Sequence, residues 1–222
     1  MSSSAQLSLL PLLFGGPPVG GRNSLAAGLH AGSCVGVAWS LRADLRTLDR
    51  RTAAQLALST VPAAVAGLLA GDGLEPGPRG TAVLLAGAGL LMWAADRRPG
   101  DGTPGPRELA WASVAQVVAL APGVSRAGAT LTALRMCRVP RDQAATVSML
   151  MSLPITAGAA LLTSLRVRPG RDVLIGAPVA ALTAGLLGAR ARASPTLLSG
   201  SALYRLALAG AVLAQQRRGV RS

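Results

Sequence analysis

A chain of 222 residues that is 50% hydrophobic and only 14% charged falls well below the roughly 25% charge of an ordinary soluble domain, which excludes a conventional water-soluble enzyme. Its net charge of +13 would suggest nucleic acid if it lay on one soluble face. All 22 basic residues are instead arginines, set in short clusters between apolar runs, as in loops that touch anionic headgroups; no nucleic-acid partner is expected. Aromatics are 2% and glycines number 27, so the apolar content is Ala, Leu and Val, suited to close helix packing in lipid. The expected class is an all-α polytopic membrane protein, one integral membrane domain over 1–222 with about six transmembrane helices plus re-entrant helical segments.

Residues 1–24 begin with Ser2-Ser3-Ser4-Ala5-Gln6-Leu7, then an apolar patch from Leu9 to Phe14 and a Gly/Pro turn through Gly21. With no basic region at the start, no cleavable signal peptide is expected. Leu25 to Leu41 is a first span, about 25 Å long as a helix and slightly short of the ~30 Å hydrocarbon core. His30 within it reads as a packed or interfacial group. A second span, Ala53 to Ala70, carries Pro62 and is expected to kink there. Gly71–Gly80 is a turn by composition, and Thr81 to Ala95 is a third span closed by Asp96-Arg97-Arg98. Residues 99–106 are the most linker-like stretch and divide a first half, 1–98, from a second, 107–222.

Leu109–Ala121 and Ala127–Leu134 are each too short to cross, and Pro122-Gly123 separates them, which predicts a re-entrant hairpin. Three more spans follow: Ala144–Leu165 and Val173–Ala189, with kinks at Pro154 and Pro178, then Leu197–Ala214. Asp142 is the expected N-cap of the first. Arg135, Arg138 and Arg141 are read with the other loop arginines as a headgroup-facing cluster. Cys34 and Cys137 lack ligand spacing and read as small buried hydrophobes.

Arg126 stands apart. An arginine in so apolar a stretch costs roughly 2.5–3.5 kcal/mol to insert, and no acid lies nearby in sequence to offset this. Pro122-Gly123 followed by Ser125-Arg126 and small residues suits a backbone opened to hold an anion.

From Pro122 to Thr130 the sequence PGVSRAGAT resembles the undecaprenyl-diphosphate phosphatase (bacitracin-resistance) family. Members carry Pro-Gly-x-Ser-Arg-Ser-Gly-x-Thr there, preceded by a Gln in an apolar helix, as Gln116 is. The likeness continues through Asp142-Gln143-Ala144-Ala145 and Met149 to Pro154, and backwards to Gly28–Gly32 and Leu41–Leu45. A second family motif, Glu-Phe-Leu-Pro-Val-Ser-Ser-Ser/Thr-Gly-His-Leu, aligns its latter half with Met1–Leu7.

The resemblance implies hydrolysis of a polyprenyl diphosphate to the monophosphate and phosphate, recycling the cell-wall lipid carrier in the bacterial plasma membrane. It makes Ser3 the nucleophile or a phosphate ligand, flanked by Ser2 and Ser4, and Arg126 the bidentate phosphate cation. Gln6, Gln116, Gly123, Ser125, Gly128 and Thr130 are then substrate-binding. A divalent cation, Mg or Ca, and a homodimer are also implied. No metal ligand is expected within 1–222, where the nine acids lie in or near loops.

There are departures. Gln6 replaces the motif His and Ala5 the preceding Gly, while Ala127 replaces the second Ser. Glutamine bonds a phosphate but does not shuttle protons near neutral pH. Met1 falls on the valine position, so translation is expected to start upstream, where a helix would carry the family's two acidic residues; a true truncation or a decayed paralogue is the alternative. The two motifs also look like a diverged inverted repeat on broken helices, which keeps open a catalytically degenerate polyprenyl-phosphate binder or flippase.

Overall fold

A backbone in lipid has to satisfy its own hydrogen bonds, and long runs of Ala, Leu and Val do so as helices. The computed structural model describes residues 22–70, 77–121, 123–166, 171–193 and 197–219, and no strand occurs among them. Ser2, Ser3, Ser4, Gln6 and Pro122 lie outside the described residues. The helices are α1 (Arg22–Ser40), α2 (Arg42–Thr47), α3 (Arg50–Leu58), α4 (Val61–Ala70), α5 (Pro78–Asp96), α6 (Pro106–Val118), α7 (Arg126–Met136), α8 (Arg141–Arg166), α9 (Arg171–Ala193) and α10 (Leu197–Gly219). They form two compact units. One holds residues 61–144 together with α10, and the other holds α1 to α3 with the rest of α8 and α9.

In the first unit α5 and α10 run antiparallel. Ser199 Oγ donates to Asp96 Oδ2 at 3.1 Å near one end. Midway, Gly89 admits α10 closely, since a Cβ there would stand 3.4 Å from the Ala202 oxygen and from Arg205 Cβ. Towards the other end Leu208, Ala209 and Val212 close over Ala82 and Leu85. Helix α7 packs on both α5 and α6. Pro106 starts α6 with its φ pre-set, and Glu108 Oε2 accepts the Gly105 N–H at 3.1 Å.

The loop arginines do more than face headgroups. Arg135 is 2% exposed. Its Nη1 donates to the Val139 oxygen at 2.6 Å, and its Nη2 donates to the Asp96 oxygen at 3.2 Å and to the Arg98 oxygen. Arg141 Nε pairs with the buried Asp96 carboxylate at 2.5 Å, and Arg138 pairs with Asp101 at the surface. Gly102 N–H donates to the Arg138 oxygen at 3.0 Å. The 99–106 stretch is therefore a tied loop, and the expectation of a headgroup-facing cluster at 135–141 is corrected for Arg135, which carbonyls hold inside, while Arg138 and Arg141 stay exposed. Asp142 is likewise no N-cap, because α8 already starts at Arg141 and Ala144 N–H bonds the Pro140 oxygen at 2.8 Å.

In the second unit α1 lies along α9 on a stripe of small residues. A Cβ on Gly32 would stand 2.0 Å from the Ala177 oxygen, and one on Gly36 would stand 2.1 Å from the Ala181 oxygen. Four-residue spacing from Gly28 through Gly32 and Gly36 to Ser40 lets the two backbones touch. Gly36→Ala is expected to force them apart at a cost of about 1–3 kcal/mol, read as a lower unfolding midpoint in detergent. The expected kink at Pro62 is a two-residue interruption at Ser59–Thr60: α3 ends at Leu58 and Pro62 enters the first turn of α4, where its missing N–H costs nothing. Asp49 caps α3, and the Thr52 N–H followed by the Thr52 hydroxyl hold its carboxyl below the usual range. Pro154 and Pro178 sit inside continuous helices. Both cysteines are free and half-buried, and Cys34 Sγ rests 3.9 Å from the Leu153 oxygen.

Two stretches, Arg50–Leu69 and Arg141–Leu162, are long and apolar enough to cross a membrane, yet only 22% of each is buried. Leu69, Leu165 and Leu186 are 83%, 75% and 71% exposed. Such faces suit lipid rather than water. The tryptophans fall near helix ends: Trp39 beneath the Arg42 guanidinium, Trp93 beneath that of Arg97, and Trp111 in the second turn of α6, as at a membrane–water boundary.

Candidate active site

Helix α6 runs 13 residues and α7 runs 11, about 20 and 16 Å. Neither spans a ~30 Å core. Their meeting point therefore lies well inside from the end marked by Trp93 and Trp111. Helix α6 buries Leu109, Ala112, Ser113 and Gln116, one face at i, i+3, i+4 and i+7, so Gln116 lies in the sealed interior of its last turn. The chain then unwinds through short turns, with Leu120 N–H on the Val117 oxygen, Ala121 N–H on the Val118 oxygen and Val124 N–H on the Ala121 oxygen.

Gly123 takes φ +98°, and a Cβ on it would fall 2.5 Å from the Thr81 oxygen at the start of α5. Both facts require glycine. Gly123→Ala is expected to cost about 1–3 kcal/mol, measured as a drop in the unfolding midpoint.

Ser125 is the N-cap of α7: it is buried, its backbone is extended (φ −75°, ψ 127°), and its Oγ accepts the Gly128 N–H at 3.3 Å. Accepting with a lone pair leaves the hydroxyl proton for a phosphate oxygen. Arg126 follows as the first helical residue, half-buried, where the positive end of the helix already favours an anion. Thr130, 1% exposed, donates its hydroxyl to the Arg126 oxygen at 3.0 Å and to the Ala127 oxygen at 3.2 Å, so it braces the first turn from within.

The structure thus gathers Gly123, Ser125, Arg126, Gly128 and Thr130 at one helix start and places Gln116 on the helix that leads into it. His30 lies half-buried in α1. One residue was missed by sequence reasoning: Arg205 of α10, whose guanidinium nitrogens both lie 2.7 Å from where a Gly128 Cβ would stand. A lone arginine in the apolar run 197–214 was the available signal.

Around this first turn the donors are two guanidiniums, a hydroxyl and helix N–H groups. No three His, Cys, Asp or Glu side chains converge among the described residues. The donor set fits an oxyanion and does not fit a divalent cation.

These features define an all-helical protein with lipid-compatible apolar faces and, between two half-length helices, a helix start lined with donors that suit an oxyanion. The model of the family described as Bacitracin resistance protein BacA matches residues 1–194, and the chain belongs to that family. It is 34% identical over 235 aligned residues to the undecaprenyl-diphosphatase of Geobacter sulfurreducens, covering 93% of this chain and 82% of that protein. It is 33% identical to the undecaprenyl-diphosphatase of Gemmatimonas aurantiaca, covering 72% and 68%. With undecaprenyl-diphosphatase 2 of Stutzerimonas stutzeri the identity is 35%, covering 74% and 70%.

Proposed function

We propose that this protein is an undecaprenyl-diphosphate phosphatase that returns the cell-wall lipid carrier to its monophosphate. The observation that carries the reading is Arg126 as the first residue of a half-length helix, beside the Ser125 cap, in a chain of this family. In the reaction a water oxygen, directly or after transfer of the phosphoryl group to the Ser3 hydroxyl, bonds the terminal phosphorus as its bond to the bridging oxygen breaks. The lipid monophosphate leaves with the electron pair, and the proton of the attacking oxygen passes to a phosphate oxygen or to water. Terminal phosphate oxygens lie against the Arg126 fork, which neutralises charge as it shifts towards the leaving oxygen. The Ser125 hydroxyl and the α7 dipole add fixed donors that need no reorganisation.

Ser3 is the proposed nucleophile or second phosphate ligand, flanked by Ser2 and Ser4, with Gln6 and Gln116 as further hydrogen-bonding groups. The resemblance also implies a divalent cation, magnesium or calcium, which the described donors of α7 do not hold. We place the protein in the bacterial plasma membrane as a multi-pass protein of about six spans with a diverged inverted repeat, working as a homodimer. The test is phosphate release by the purified protein from a prenyl diphosphate in detergent. Steady release supports the reading, and binding of the lipid without release overturns hydrolysis.

A further inference from the structure

Arg205 is 4% exposed, and its Nη1 has no hydrogen-bond partner among the described residues. Among the described residues no ion pair involves it; those of Asp96 and Asp101 are with Arg141 and Arg138. Arg135, equally buried, leaves only its Nε without a partner among the described residues and directs both Nη1 and Nη2 to backbone carbonyls, which is how a structural arginine is kept inside. Arg205 instead extends from mid-α10, opposite Gly89, to the first turn of α7. There Nη1 and Nη2 lie 2.7 Å, and Cζ 3.1 Å, from the position a Cβ on Gly128 would take. Gly128 is the third residue of α7, and its N–H is the one capped by Ser125. A buried guanidinium with an unsatisfied nitrogen is expensive unless an anion meets it. It lies over the helix end that favours anions, against Gly128, which is two residues from Arg126 in sequence.

We infer that Arg205 is a second phosphate-binding residue of this site, its unsatisfied Nη1 edge holding oxygens of the phosphate group at the start of α7 while Gly128 stays bare to admit it. This rests on the proposed function. Two guanidiniums facing one helix start suit a group with the charge of a diphosphate, which a single arginine leaves under-neutralised. The ligand chemistry is phosphate oxygen, supplied either by the lipid diphosphate or by inorganic phosphate.

The experiment measures binding of two probes to the full-length protein in detergent: a non-hydrolysable farnesyl methylenediphosphonate and inorganic phosphate. Arg205→Met is expected to weaken the diphosphonate by tenfold or more, with Arg205→Lys recovering only part because an ammonium lacks the planar fork. Loss of both probes assigns Arg205 to the terminal phosphate shared by substrate and product. Loss of the diphosphonate alone assigns it to the lipid diphosphate, and loss of phosphate alone to the released product. Unchanged affinity for both in a folded Arg205→Met protein overturns the assignment.

Should Arg205→Met fail to fold, Gly128→Ala decides, because its methyl displaces only the mobile end of Arg205. Weaker binding supports the role and equal binding refutes it. A wild-type protein that binds the diphosphonate but releases no phosphate from farnesyl diphosphate sinks the hydrolase reading alone. One that binds neither probe sinks the Arg205 assignment as well.

Discussion

Replacing Arg126 by alanine is expected to lower kcat for phosphate release by about 10²–10³-fold, roughly 2.7–4 kcal/mol of transition-state stabilisation, by analogy with removal of one preorganised donor. KM should move less, because the guanidinium is worth most where charge develops on the leaving oxygen. The fold should survive. No hydrogen bond or ion pair ties the Arg126 side chain to a described residue, and its backbone oxygen, which accepts from Thr130, remains in the variant. Arg126→Lys should recover only part of the rate, since one ammonium replaces a bidentate fork. Phosphate release under saturating prenyl diphosphate, alongside thermal unfolding, checks this. Full activity in a folded Arg126→Ala protein would remove α7 from the reaction.

The largest expected loss of stability is at the opposite end of the same helix. Arg135→Ala strips the Val139, Asp96 and Arg98 carbonyls of a charged donor in a closed interior. About 3–5 kcal/mol should go with it, a fall in Tm on the order of 10 °C. Lysine should not restore it, because one ammonium cannot reach carbonyls on both sides of the loop. Arg138→Ala, which breaks a pair whose side chains are 53% and 58% exposed, should cost no more than about 1 kcal/mol. Equal losses for the two variants would refute the burial argument.

The geometry at the start of α7 was legible because its requirements are local. A Pro-Gly break, a capping serine and an arginine without an acid state their purpose within nine residues, and the structure puts Ser125 at the cap and Gly123 at positive φ. Arg205 needs the same argument applied sixty or more residues later, where an otherwise ordinary apolar run hides it. What sequence could not supply was the partner of each charge. Arg135 and Arg141 look like loop arginines because backbone carbonyls carry no sequence signature. Pro62 marks an interruption of the second span, but only the turn at Ser59–Thr60 shows that the proline opens α4 instead of sitting mid-helix. The 99–106 loop has a linker's composition, yet its glycines are there for close approach: a Cβ on Gly102 would sit 2.8 Å from the Cys137 oxygen.

The first unit joins residues 61–144 to the helix at 197–219 across an intervening segment that belongs to the other unit. During synthesis, α5 and α7 therefore emerge long before the helix that covers Leu85 and reaches Gly128. Until α10 has been made, the half-built first unit lacks Arg205 and the wall that covers Leu85. A nonsense codon anywhere between 145 and 196 would therefore strip the first unit of α10 and Arg205, although that unit's other helices were already made.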